Sequence, residues 1–157
     1  MGPGLERDPF YVCMQEARKA FNEGEVPVGC AVFKEGRLLV SSHNMVQTLK
    51  DPLAHAEILA IRQATEILGE KYLYGCEVHV SLEPCLMCTY ALVLARVDRI
   101  VFYALDHKHG GIMSLYNILD DVRLNHRVRW EYKPREEAQR LLKEFFERLR
   151  DDQSRKG

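Results

Sequence analysis

Long apolar runs are missing from this chain. Its uninterrupted hydrophobic stretches are short, such as Ala91 to Ala95, whereas a membrane-spanning helix needs about 20 consecutive apolar residues, so no membrane span is expected. The first residues carry neither the basic segment nor the apolar core of a secretory signal,. An even cysteine complement is missing too: five cysteines cannot all pair, which argues against a disulfide framework and points to a reducing cytoplasm,. Charge of one sign is also lacking. Lys and Arg number 22 against 23 Asp and Glu, a net charge of -1, so any nucleic-acid partner must be held by local basic patches. Internal repeats and low-complexity segments are absent. What remains, 157 residues with 46% apolar and 29% charged, fits one soluble domain over 1–157 with a core of about 8–150.

The chemistry concentrates in two stretches. His55-Ala56-Glu57 is followed, after 26 intervening residues, by Pro84-Cys85-Leu86-Met87-Cys88. Together they offer a metal one imidazole and two thiolates, with Glu57 left over. Structural zinc sites close with four protein ligands, whereas three leave a position for water, whose pKa zinc lowers to roughly 7. A carboxylate two residues from a ligand reaches that water and can carry its protons. Pro84 suits the first position of a helix, which would set Cys85 and Cys88 in the first turn, where the helix dipole favours anionic sulfur. His55 follows Asp51-Pro52 in the same way. A Cys-x-x-Cys is also the mark of a redox pair or of half a structural zinc site; the His-x-Glu upstream favours a catalytic metal. Cys13, Cys30 and Cys76 then read as buried free thiols.

Taken in order, the chain opens with a helix capped by Asp8-Pro9, its apolar face running from Phe10 to Phe21 and Gly24 as its stop. Val28 to Phe33, the turn Glu35-Gly36 and Arg37 to Ser42 read as a hairpin. A polar loop runs to Pro52. Ala54 to Leu68 reads as a largely buried helix and Cys76 to Leu82 as a strand whose outward residues include a half-exposed His79. Leu86 to Ala95 is a second metal-bearing helix and Arg99 to Ala104 a strand. Leu105 to Gly111 is a loop, followed by a short helix around Ser114 to Leu119 and a strand over Arg127 to Tyr132. A terminal helix from Pro134 carries an apolar stripe of Ala138, Leu141, Leu142, Phe145, Phe146 and Leu149. Its basic residues are interleaved with glutamates, as on a solvated helix face. The Met1 to Leu5 and Asp151 to Gly157 ends are expected to fray. Helix and strand alternation implies right-handed parallel crossovers and an α/β sandwich.

The motif order resembles the cytidine deaminase superfamily, whose signature is His-x-Glu with Pro-Cys-x-x-Cys, and more closely the bacterial tRNA-specific adenosine deaminases. The resemblance runs from about Phe10 to Arg150. It rests on Gly24-Glu25-Val26-Pro27-Val28-Gly29, His43-Asn44, Asp51-Pro52 with Ala54 to Glu57, Ser81 to Cys88, Asp106 to Gly111 and Leu124-Asn125-His126-Arg127-Val128. It implies a three-layer α/β/α sandwich around a five-stranded mixed sheet. The implied reaction is zinc-dependent hydrolysis of adenosine to inosine at the wobble position of a tRNA anticodon. By resemblance, His55, Cys85 and Cys88 would bind one zinc per subunit and Glu57 would move protons. Asn44 would hold the base edge, Val28 and Ala56 would line the pocket, and Asp106, Lys108 and His126 would touch flanking nucleotides. The implied assembly is a homodimer acting on the tRNA anticodon stem-loop. Two alternatives remain: a deaminase of free guanine, cytosine or their nucleosides, and a silent zinc-containing RNA-binding subunit, which would have no use for Glu57.

Overall fold

The computed structural model describes residues 8–156; the Met1 to Leu5 end lies outside them. Helix α1 (Pro9–Asn22) starts where the sequence places it, with the Asp8 carboxylate accepting from Phe10 N at 3.0 Å,. Strands β1 (Gly29–Lys34) and β2 (Arg37–His43) form the hairpin. Glu35 and Gly36 both have positive φ, 52° and 75°, as a two-residue turn between twisted strands requires. The expected polar loop after β2 contains instead a single helical turn, α2 (Val46–Leu49). Helix α3 (Ala56–Leu68), strand β3 (Cys76–Val80), helix α4 (Leu86–Leu94) and strand β4 (Arg99–Phe102) follow. A 3₁₀ turn (Ile118–Asp120), strand β5 (Arg129–Tyr132) and helix α5 (Glu136–Lys156) complete the chain.

The strands make one sheet in the order β2-β1-β3-β4-β5, with β1 antiparallel to both neighbours and β3, β4 and β5 parallel. Strand alternation sorts the core into two layers. Cys30, Val32, Val78, Val80, Ile100 and Phe102 face α3 and α4, while Ala31, Phe33, Val101 and Tyr103 face α1 and α5. The result is the helix-sheet-helix sandwich expected from the alternation of elements.

Several expectations are corrected. Helix α3 is not largely buried: it lays a narrow stripe of Ala56, Ala60 and Ala64 on the sheet, and Ile67 stays 61% exposed. The small side chains let the helix approach closely. His79 is buried, not half-exposed. Its face of β3 is covered by α1, and its Nδ1 lies 2.9 Å from the Tyr103 hydroxyl, while burial lowers its pKa to about 4. The short helix around Ser114 to Leu119 shrinks to the 3₁₀ turn Ile118–Asp120; ahead of it the amides of Leu115 and Tyr116 both turn back to Gly110 O, and those of Ile112, Met113 and Ser114 donate to the Glu83 carboxylate. The Asp151 to Gly157 end does not fray as a unit, since α5 runs to Lys156; Gly157 lies outside the described residues.

Candidate metal centre and substrate pocket

The parallel strands run so that the chain leaves central strand β3 at its C-terminal end and meets α4 there. The antiparallel β1 and β2 bring Val28 and Asn44 to that same end, since Gly29 pairs with His43 and Cys30 with Val80. Helix α3 points its N-terminus at the same place. His55 is the N-cap of α3 and Cys85 the N-cap of α4, both with extended backbone and neither bonding its own helix. Their carbonyls accept the first intrahelical bonds, from Leu59 N and Thr89 N. Helix α4 thus begins at Leu86, where the Leu86 to Ala95 reading puts it, and not at Pro84. Pro84 lies outside it, its carbonyl accepting from Gly111 N at 2.8 Å. A side chain at an N-cap ordinarily satisfies the first-turn amides; here both turn toward each other.

Cys85 Sγ lies 3.7 Å and Cys88 Sγ 3.5 Å from His55 Nδ1, and the three ligand atoms lie within 4.8 Å of one another. A tetrahedral zinc with bonds of about 2.3 Å to sulfur and 2.0 to 2.1 Å to nitrogen has sulfur–nitrogen edges of about 3.5 Å. The donor set therefore fits zinc in both chemistry and spacing, and Glu57 stands outside it. Cys85 is brought down to about 4, first by the hydrogen bond from Cys88 and then by His55, against the effect of burial. The Cys88 thiol is raised. Glu57 is buried at 4% exposure. Burial pushes its carboxyl up to about 7 and the Cys85 thiolate adds to the push, while its own amide, His55 and Cys88 pull back. A carboxyl poised near neutrality can both take and return a proton.

Asn44 N bonds Val28 O at 3.1 Å, Met45 N bonds Ala54 O at 3.0 Å, and Ser42 Oγ donates to Ala56 O at 2.6 Å. These bonds bring Asn44, Val28 and Ala56 together beside His55 and Glu57. Asn44 Nδ2 reaches Val26 O at 3.5 Å, but Asn44 Oδ1 is the one buried side-chain polar atom without a partner among the described residues. Such an atom is costly unless something outside the fold completes it. We expect Asn44→Ala to fold and to keep its metal, because the native side chain contributes little there. Its kcat/KM should fall by roughly 5- to 150-fold, the equivalent of about 1 to 3 kcal/mol for a lost hydrogen bond to substrate. Rates within twofold of wild type would reduce Asn44 to the residue that ends β2.

The loop that carries Asp106 and Lys108 meets the cysteine helix through a bridge between Gly110 and Cys85. Asp106 Oδ1 accepts from Lys108 N and His109 N, leaving the Lys108 side chain exposed. His126 is elsewhere. It precedes β5, its Nε2 lies 2.7 Å from Val97 O, and Tyr74 packs against it, so it occupies the opposite end of the parallel strands. Of the terminal basic residues, Lys133 pairs with Glu131 and Arg148 with Glu144, while Glu137 is taken by Arg18 of α1.

Sequence reasoning missed two buried carboxylates that shape the site. Glu25 accepts from Gln47 N, Thr48 N and Thr48 Oγ1 and so holds α2. Glu83 accepts from the loop after Ala104. Their signal is an acidic residue among apolar neighbours and next to or near proline, as in Glu25-Val26-Pro27 and Leu82-Glu83-Pro84.

Residues 7–104 match the family described as the cytidine and deoxycytidylate deaminase zinc-binding region. A tRNA-specific adenosine deaminase of Aquifex aeolicus (strain VF5) is 57% identical over 141 residues, 90% of this chain and 93% of that protein. Another from Bacillus subtilis (strain 168) is 38% identical over 149 residues, 93% and 92% of the two chains. A solved structure from studies of A-to-I editing by tRNA:A34 deaminases at the wobble position superposes with a TM-score of 0.79 at 34% identity, covering 87% of this chain and 97% of that one. A guanine deaminase from Nitrosomonas europaea gives 0.75 at 23% identity over 92% and 93% of the chains, which shows a shared fold alone.

Proposed function

This chain belongs to the tRNA-specific adenosine deaminases of the zinc-binding deaminase family, and we propose that it converts adenosine to inosine at the wobble position of a tRNA anticodon. The observation that carries this reading is a three-ligand metal set with a buried carboxylate outside it, next to an unpartnered Asn44 Oδ1. Zinc held by His55, Cys85 and Cys88 would supply a water of lowered pKa as the nucleophile. Glu57 takes that water's proton and delivers it toward the amine on C6, so that water is consumed and ammonia leaves. Asn44 holds the base edge, and Val28 and Ala56 enclose the ring.

Reaching C6 requires the base to leave its stack, which costs least in a single-stranded loop. With a net charge of -1 the RNA must be held locally. Asp106 and Lys108, at the rim beside Cys85, are assigned to nucleotides flanking the base, and His126 to a part of the RNA remote from it. A homodimer is supported by an exposed apolar stripe on α4, Leu86, Tyr90 and Leu94, at 39%, 42% and 61% exposure. Met113, Leu115 and Tyr116, on the loop packed against the start of α4, are exposed too. Burying a large apolar side chain contributes about 1.5 to 3 kcal/mol, so this face is suited to a second copy of the chain. No helix among the described residues is long and apolar enough to cross a membrane. A tRNA substrate is consistent with a single deaminase domain working in the cytoplasm.

The test is turnover of an anticodon stem-loop beside free adenosine, guanine and cytidine. We expect efficient deamination of the stem-loop, little on free adenosine, and binding that weakens linearly as salt rises on logarithmic axes. Lys108→Ala should weaken stem-loop binding several-fold, flatten the salt slope by about one and leave the metal content unchanged. Faster turnover of free guanine or cytidine than of the stem-loop would replace this reading with a small-molecule deaminase.

A further inference from the structure

Glu83 is a carboxylate at 2% exposure with no cation among its hydrogen-bond partners. It is satisfied by one stretch of chain, through four amides and a hydroxyl. Its Oε1 accepts from Asp106 N at 3.2 Å and from the Ser114 hydroxyl; its Oε2 accepts from Ile112 N, Met113 N and Ser114 N at 3.1, 2.8 and 3.0 Å. One side chain therefore gathers both ends of the 106–114 loop. The loop has been shaped around it: a methyl group on Gly110 would sit 2.3 Å from the Glu83 carboxyl carbon, and one on Gly111 would sit 2.9 Å from Leu86 Cα. Glu83 lies one residue before Pro84, whose carbonyl takes the Gly111 amide, and Cys85 bridges to Gly110. The strand end that delivers the cysteines and the loop that carries Asp106 and Lys108 are thus fastened to each other through this carboxylate. Asp106 in turn fixes the amides of Lys108 and His109.

We propose that Glu83 is a positioning residue for substrate recognition, holding the Asp106–Lys108 turn at the rim of the metal centre so that it meets the nucleotides beside the reacting base. The proposal rests on the stem-loop reading above. Glu83 touches neither the ligand atoms nor the pocket residues, so its loss acts on where the turn sits and not on proton transfer. Glu83→Gln keeps the volume but replaces an acceptor oxygen by an NH2 group facing amide donors, which releases one end of the loop.

The experiment compares wild type and Glu83→Gln for zinc content, kcat and KM on the anticodon stem-loop. A residue that positions a binding element raises KM with kcat little changed. We expect KM up by about tenfold, kcat within about threefold and one zinc per chain, the pattern of lost ground-state binding. If Glu83→Gln does not give folded protein, Ser114→Ala removes a single donor to the same carboxylate and should raise KM in the same sense by a smaller factor. Unchanged kinetics, loss of zinc, or a fall in kcat at constant KM would overturn the proposal. Wild-type turnover of the stem-loop in the same assay tests the substrate reading separately, because a wild type that ignores the stem-loop speaks against the substrate and not against the role of Glu83.

Discussion

Glu57→Ala should lose its turnover and keep its metal. Glu57 follows the α3 N-cap by two residues, is buried at 4% exposure and lies outside the three-ligand set, so its removal deprives the site of a proton carrier and leaves imidazole and thiolates in place. Positioned acid-base groups contribute about 10² to 10⁴-fold. Here one carboxyl serves twice, accepting a proton from water and returning it to the departing amine, which puts the expected loss at the upper end. Zinc measured by elemental analysis should stay at one per chain, because no residue of the ligand set is removed. Zinc loss, or turnover close to wild type, would remove Glu57 from its assigned place. Glu57→Gln separates charge from shape: it fills the same space, cannot carry the proton, and is expected to be as inactive as the alanine variant.

The parts of this site that were legible in the sequence are those where chemistry and local backbone coincide. His-x-Glu and Pro-Cys-x-x-Cys name their ligands directly and each has a proline shortly before its first ligand, although both helices begin just after that ligand and not at the proline, and the alternation of Cys76, Val78 and Val80 delivers the chain toward Pro84 whatever the rest of the fold does. Asp8-Pro9 and Glu35-Gly36 were readable for the same reason, since a cap and a tight turn are decided within four residues. What escaped depends on distant neighbours. The burial of His79 follows from α1 lying across its face of the sheet, which alternation along β3 cannot report. Helix α2 exists because Glu25, 22 residues away from Gln47, accepts its first amides. Around Ser114 the amides of Leu115 and Tyr116 both turn back to Gly110 O, which closes a tight loop where the sequence pattern suggested a helix, and Glu83, 31 residues earlier, takes the amides of Ile112, Met113 and Ser114. His126 is a question of topology: three parallel strands set the start of β5 at the far end from the cysteines, and sequence spacing carries no sign of it. Asn44 falls between the two cases, since its motif is visible but its unpartnered oxygen is a property of the folded pocket.

Cys88→Ala is expected to abolish metal binding as well as activity, which distinguishes it from the Glu57 variants. Cys88 is fully buried in the first turn of α4, and its sulfur is the closer of the two to His55 Nδ1. Its removal leaves one thiolate and one imidazole on two helix N-termini, and no other described side chain belongs to the cluster that could take its place. Zinc content should fall from one per chain to near zero after dialysis against a weak chelator. Stability should follow the metal, because a ligand that binds only the folded state adds about 2.7 kcal/mol at a hundredfold excess over its dissociation constant. The thermal midpoint of the wild type should therefore rise when zinc is added to the metal-free protein, while that of Cys88→Ala should not respond. The alanine itself removes a fully buried sulfur, so the variant will also be somewhat less stable than metal-free wild type, and the zinc response is the quantity to compare. Full zinc retention with an unchanged midpoint would mean that the ligands lie elsewhere, and the roles assigned to His55, Cys85 and Glu57 would have to be withdrawn with it.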